Sequence, residues 1–262
     1  MKTRIISALI ACLIVIPIVY FGGLPYRIGV GLVAVIGYTE FLMTYEKQKR
    51  IPDLVKIIGY IVLFSIFAIN ILNKNNFDFN YKTLIFTLIM FLIPVILYHD
   101  DKTYNTKDAL YLVGGTIFLG LAFSILYTIR EWGLTTIIYL VTITISADTF
   151  AYFTGVLFGK HKMIPSISPN KTWEGALGGT IFSVILATLY YVTYLNPDKN
   201  LFMAILITLF LTIISQFGDL IFSAMKRNAG IKDFSNIMPG HGGILDRLDS
   251  LILVMLAYML IL

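Results

Sequence analysis

Leu201-Phe202-Met203-Ala204-Ile205-Leu206-Ile207-Thr208-Leu209-Phe210-Leu211-Thr212-Ile213-Ile214 is an uncharged apolar run, and it continues through Ser215-Gln216-Phe217-Gly218 to a carboxylate, Asp219. Crossing the hydrocarbon core of a bilayer takes roughly 20 apolar residues in a helix. The stretch therefore reads as a membrane-spanning helix that carries an acid towards one end. Similar runs start near Ile5, Ile28, Leu54, Tyr81, Ala109, Leu134, Gly175 and Ile244. The chain as a whole is 58% hydrophobic and 13% charged, with a mean hydropathy of +0.83. Soluble domains run at about 45–50% apolar and about 25% charged. About nine spans would use about 180 of the residues, leaving roughly 80 for loops. That excludes a separate soluble catalytic domain. The expected architecture is all-α and polytopic, one membrane-embedded domain over residues 1–262, with N-terminal helices in 1–132 and the helices and loops of the chemistry in 133–262.

The run from Ile5 to Tyr20 follows Lys2 and Arg4 as a signal peptide would, but the bulky Val19-Tyr20-Phe21 offers no cleavage site, so it reads as a retained helix. The run near Ile28 is the weakest, since Glu40 interrupts it and it holds several glycines. Charge orients the set. With the N-terminus in the cytoplasm, the inner segments hold 15 of the 20 Lys and Arg residues and the outer ones 5, an excess that the positive-inside rule reads as N-terminus in and C-terminus out. The net charge of +5 flanks apolar segments and builds no basic domain, which argues against a nucleic-acid partner. A single cysteine, Cys12, excludes an internal disulfide, and zinc-site spacing is absent. Two inner segments, Gly159 to Glu174 and Lys226 to Asp249, are longer than a connector needs. They place a site at the cytoplasmic face of the second half.

Asp148 and Asp219 stand inside apolar stretches, where an ionisable residue is expensive and defaults to a functional reading with a partner. Glu40 reads equally well as a structural residue. If the helix through Asp219 continues, Asp219, Ser223, Lys226 and Arg227 fall at i, i+4, i+7 and i+8 on one face. The carboxylate suits a hard cation and the bases suit phosphate oxygens. Asp246 and Asp249, three apart, share a helix face, and Asp246 and Asp219 are expected to approach as ligands of one metal. Gly242-Gly243 permits close backbone approach to a ligand, after a turn at Pro239-Gly240. Ser168-Pro169 reads as N-cap and first position of a helix whose free N–H groups suit an anion, with Asn170 and Lys171 in its first turn. His161 reads as solvated surface, and His99-Asp100-Asp101 as an exposed polar loop. No P-loop and no kinase glycine loop occur. Carboxylates, cations and flexible glycines at headgroup level point to metal-dependent phosphoryl or nucleotidyl transfer on a lipid.

Ser223-Ala224-Met225-Lys226-Arg227, then Lys232-Asp233-Phe234-Ser235, then Pro239-Gly240-His241-Gly242-Gly243-Ile244-Leu245-Asp246-Arg247-Leu248-Asp249 closely resembles the signature of the phosphatidate cytidylyltransferases, or CDP-diacylglycerol synthases. Ser168 to Gly175 and Phe217-Gly218-Asp219-Leu220 are similar to that family as well. Met238 stands where the family carries Leu, Ile, Phe or Val, an apolar exchange of similar volume. The motifs cover residues 148 to 249.

The resemblance implies that CTP and phosphatidic acid give CDP-diacylglycerol and pyrophosphate with Mg²⁺ required, in phospholipid biosynthesis at the cell membrane. The number of metal ions, and whether a monovalent cation shares the site, stay open. The oligomeric state also stays open, although polytopic enzymes of this size often pair as homodimers. The residues suggest roles: Asp219 and Asp246 as metal ligands, supported by Asp249 and Asp148; Lys171, Lys226, Arg227 and Lys232 as phosphate partners; and His241 on a phosphate or the leaving pyrophosphate. Ser168, Asn170, Ser223, Gly242, Gly243 and Arg247 complete the expected binding set. Two rivals are weighed. A CTP-dependent lipid-alcohol kinase would release CDP. A secondary transporter would use Asp148 and Asp219 for ion coupling, but the polar residues crowd one face of one half.

Overall fold

Each apolar run of the sequence folds as a helix. The structure, a computed structural model, describes residues 2–72, 81–99, 103–198 and 200–262. Asp100, Asp101, Lys74, Lys102 and Lys199 lie outside the described residues. The helices are α1 (Lys2–Phe21), α2 (Gly23–Glu46), α3 (Asp53–Leu72), α4 (Tyr81–Leu97), α5 (Thr106–Trp132), α6 (Leu134–Phe158), α7 (Trp173–Tyr190), α8 (Leu201–Asn228) and α9 (Leu245–Leu260). Six of them are long and apolar enough to cross a membrane: α2, α3, α5, α6, α8, and α7 with the π-helical turn Tyr191–Leu195 that extends it. The chain is thus an α-helical membrane protein. Glu40 does not break α2, which runs unbroken for 24 residues.

One departure from an all-α reading is a short antiparallel hairpin, β1 (Lys162–Ile164) with β2 (Ser168–Thr172). It overturns the expectation that Ser168-Pro169 starts a helix. The helix starts instead at Trp173, because Thr172 is its N-cap: the Thr172 hydroxyl accepts from the Gly175 N–H at 3.1 Å. Across the hairpin Thr172 pairs with Lys162 and Ser168 with Ile164, and Trp173 N–H closes it on His161 O.

Residues group into two compact units: Met1–Trp132 with Ala229–Asp246, and Gly133–Asn228 with Arg247–Leu262. In the first, α5 is the most buried helix, with α2, α3 and α4 packed on it. Glycines make room for large rings there: a Cβ on Gly115 would lie 1.9 Å from the Phe41 ring, and one on Gly59 would lie 2.1 Å from the Tyr38 hydroxyl. That hydroxyl bonds Thr116 at 2.8 Å. Arg130, at the end of α5, donates to Val19 O (2.5 Å) and Tyr20 O (2.8 Å), closing the last carbonyls of α1. Gly22 turns the chain there in the left-handed region, φ 65°. Asp108, buried at the first turn of α5, accepts from Lys49 Nζ (2.5 Å), the Tyr45 hydroxyl and the Asn105 N–H (2.8 Å), so its charge is met on every side.

In the second unit α6 and α7 approach to backbone contact. Ala147, Ala151 and Gly155 on α6 face Gly175, Gly179 and Ser183 on α7, each set spaced by four. A Cβ on Gly175 would meet Ala151 O at 2.7 Å, and one on Gly179 would meet Ala147 O at 2.6 Å. Helices in lipid gain nothing from hiding apolar surface from each other, so close van der Waals packing of small residues holds them. Ser183 Oγ adds a bond to Ile143 O at 3.0 Å, and Thr154 Oγ1 one to Gly175 O at 3.2 Å. Gln216 ties α8 to α7 through Ala176 O (3.1 Å) and Thr180 Oγ1 (2.8 Å). Where α8 meets α9, Gly218 is small enough to let the backbone of Asp249-Ser250 come close, 3.0 Å from an added Cβ.

Candidate active site

The expected residues fall into two groups, one in each unit. The second unit collects acids from three helices. Asp219 on α8 is ion-paired through Oδ2 to Lys171 Nζ at 2.5 Å, and its Oδ1 accepts from Ser223 Oγ at 3.2 Å. The helix does continue to Asn228, as the stripe of Asp219, Ser223, Lys226 and Arg227 requires. Asp148 on α6 and Asp249 on α9 both lie within electrostatic range of Asp219, with Lys171 acting on Asp148 and Lys226 on Asp249. The Gly218 contact sets α8 and α9 side by side at this level. Lys226 is buried, while Arg227 is spent partly on the hairpin, Nε donating to Ile167 O at 3.2 Å.

Lys171 reaches Asp219 from a β-strand and not from a helix N-terminus, so the helix start expected at Ser168-Pro169 as an anion site is not formed there. Asn170 is exposed on the same strand and Ser168 half-buried. Glu174, in the first turn of α7, accepts from the N–H groups of Lys160 and His161 and pairs with His161 Nδ1 at 2.6 Å. His161 is exposed, as expected, but paired; this bond holds the end of the hairpin against α7.

The donor set tests whether a metal fits. Three carboxylates face two ammonium groups, and neither Asp148 nor Asp249 has an ion pair among the described residues. Carboxylate oxygens with excess negative charge suit a hard divalent cation. Among the described residues, no three acidic, His or Cys side chains already close around a metal-sized point.

The first unit holds the glycine-rich loop 229–244. Asp246, buried at the start of α9, folds it: Oδ2 accepts from the N–H of Phe234 (2.8 Å) and of Gly243 (2.9 Å). Gly242, at φ 82°, and Gly243 allow close approach, and what approaches them are protein carboxylates. A Cβ on Gly242 would lie 2.7 Å from Asp246 Oδ2, and one on Gly243 2.2 Å from Glu40 Oε1. Lys232 is exposed on this loop. His241 Nδ1 lies 2.8 Å from Ser7 Oγ, which donates to Pro239 O at 3.1 Å. This contact orients the imidazole ring, and which of the two atoms donates follows the ring's tautomer.

Ser7 is a residue that reading the sequence missed, and Glu40 is one that it left evenly between a structural and a functional reading. Nothing marks a serine in an apolar run. Glu40 carried the same signal as Asp148 and Asp219, a lone acid among apolar residues.

The sequence profile of the cytidylyltransferase family matches residues 2–262. The chain belongs to the cytidylyltransferase family. Its similarity to individual members runs from end to end. It is 35% identical over 260 residues to the phosphatidate cytidylyltransferase of Staphylococcus aureus (strain COL), covering 97% of this chain and 96% of that one. It is 34% identical over 266 residues to that of Bacillus subtilis (strain 168), covering 97% and 95%. The Staphylococcus haemolyticus protein of the same name is 35% identical over 262 residues, covering 97% and 96%. The N-terminal helices, which the motifs leave out, are therefore part of what this chain shares with the family.

Proposed function

We propose that this chain transfers the cytidylyl group of CTP to phosphatidic acid, giving CDP-diacylglycerol and pyrophosphate. The observation that carries the reading is the gathering of Asp148, Asp219 and Asp249 with Lys171 and Lys226 in one helical unit, in a chain of this family. An oxygen of the lipid phosphate, ionised near neutral pH, attacks the α-phosphorus of CTP. The new P–O–P bond forms as the bond to the β-phosphate breaks, and pyrophosphate leaves with the electron pair. No general base is needed. Lys171 and Lys226 neutralise phosphate oxygens, and Lys232, Arg227, Arg247 and His241 serve the triphosphate and its leaving end. Ser168, Asn170 and Ser223 line the substrate path.

Mg²⁺ would be held by Asp219 with Asp148 and Asp249, carboxylates that three helices of one unit bring within electrostatic range of each other. Bound there, it would offset triphosphate charge and polarise the reacting phosphorus. The topology that goes with this reading has about nine spans, the N-terminus and the site on the cytoplasmic side, and pairing of chains within the membrane. It places a lipid-borne phosphate and a soluble nucleotide within reach of one set of side chains.

The test uses purified protein in mixed micelles with labelled CTP, Mg²⁺ and phosphatidic acid. Equal appearance of lipid-extractable cytidine and pyrophosphate, abolished by EDTA and restored by Mg²⁺, is the expected result. CDP without lipid-bound cytidine would identify a kinase instead. In the same assay Lys226→Ala should raise the KM for CTP or lower kcat by about tenfold, the worth of one charge-assisted hydrogen bond. A change in expression alone would reduce Lys226 to a topology signal.

A further inference from the structure

We infer that Glu40 is a positioning residue for the cytidylyl transfer, holding the signature loop in its working shape from a neighbouring helix; this rests on the reading of the loop given above. Glu40 lies in the interior of α2 and is fully buried. A buried acid in a span is stable only with partners. Here the carboxylate's hydrogen bonds lead to one segment. Oε1 accepts from Ser235 Oγ at 2.6 Å and from the Ile244 N–H at 2.9 Å, and Oε2 accepts from the Leu245 N–H at 2.8 Å. The last two N–H groups open α9, so the carboxylate also sits at the positive end of that helix dipole.

These bonds fix both ends of the stretch from Ser235 to Leu245. Between them lie His241 and the two glycines with positive φ, Gly240 and Gly242. A glycine-rich segment of this kind has many backbone states of similar energy, and pinning its ends removes most of them. Gly37, one turn before Glu40 on α2, keeps the seat flat: a Cβ there would meet Leu245 Cδ2 at 3.2 Å. Gly243 serves the same end, since any side chain there would displace the Glu40 carboxylate. Asp246 closes the loop on itself, and Glu40 ties it to α2. Glu40 does not touch the reacting atoms; it acts through the loop.

The experiment compares wild-type enzyme with Glu40→Ala, Glu40→Gln and Ser235→Ala in the mixed-micelle assay, with kcat and the KM for CTP normalised to folded protein. Each protein is also digested with trypsin, and cleavage after Lys232 is timed. A misplaced group of this kind lowers turnover by roughly 10- to 100-fold, and that loss is expected for Glu40→Ala. Glu40→Gln, which keeps the volume and one accepting oxygen, should fall between Glu40→Ala and wild type. Ser235→Ala should lose about 2- to 10-fold, the worth of one hydrogen bond. Cleavage after Lys232 should quicken in the same order. Unchanged kcat and KM with unchanged cleavage in Glu40→Gln and Ser235→Ala would overturn the inference. So would a fall in folded yield with normal turnover per folded molecule, which is a stability role alone. If Glu40→Ala does not fold, the other two variants decide. If wild type itself makes no lipid-linked cytidine, the functional reading fails, and the cleavage series still decides whether Glu40 holds the loop.

Discussion

Asp219→Asn should abolish turnover and leave a folded protein. The amide is isosteric with the carboxylate, and its oxygen can still accept from Ser223 Oγ, now at 3.2 Å. What it removes is charge. Lys171 Nζ, 2.5 Å away, loses its counter-ion, and the group of Asp148, Asp219 and Asp249 loses the carboxylate whose charge acts most strongly on the other two. A cation held there by oxygen donors loses a hard anionic ligand, and Lewis-acid stabilisation of a phosphoryl transition state is worth several kcal/mol. About 4 kcal/mol corresponds to a loss of roughly 10³-fold. The measurement is lipid-extractable cytidine per folded molecule, with gel filtration in detergent as the control on fold. Activity within a few-fold of wild type would remove Asp219 from the chemistry and leave it as the structural partner of Lys171.

Gly179→Val should have the largest effect on stability. Its Cβ would stand 2.6 Å from Ala147 O, 2.9 Å from Ala151 Cβ and 3.1 Å from Ala151 N. Two of those atoms belong to the backbone of α6, so no rotamer change relieves the clash, and α6 and α7 must separate. Overpacking at a tight contact costs typically about 1–3 kcal/mol and sometimes more, and the top of that range is expected here. Asp148 follows Ala147 directly, so separation also moves an acid of the site. The check is the temperature at which half of the detergent-solubilised protein stays monodisperse, which should fall clearly below wild type. Leu177→Ala is the control: Leu177 is on the same helix but 63% exposed, and its truncation should change that temperature little. Equal behaviour of the two variants would mean that the small-residue seam does not hold these helices.

How much of this could be read from the residues depends on how far each property reaches along the chain. The apolar run ending at Asp219, and the runs like it, identified every helix from α1 to α9, because hydrophobic length is a local property. The spacing of Asp219, Ser223, Lys226 and Arg227 showed their common helix face for the same reason. The signature between Ser223 and Asp249 disclosed the family, since its residue types and intervals are written in order. Partners are a different matter. Ser168-Pro169 has the local grammar of a helix start, and only pairing with Lys162–Ile164 makes it a strand. Gly242-Gly243 promised close approach, but the groups that approach, Asp246 and Glu40, are chosen by folding. Glu40 looked like a flaw in the weakest span, yet it bonds Ser235, Ile244 and Leu245, about 200 residues away. The amino-acid sequence by itself determined the helices, the acids they carry and the family. Only the tertiary structure decided which donor each buried acid meets, because a carboxylate in an apolar helix must find partners, and those come from wherever the chain returns.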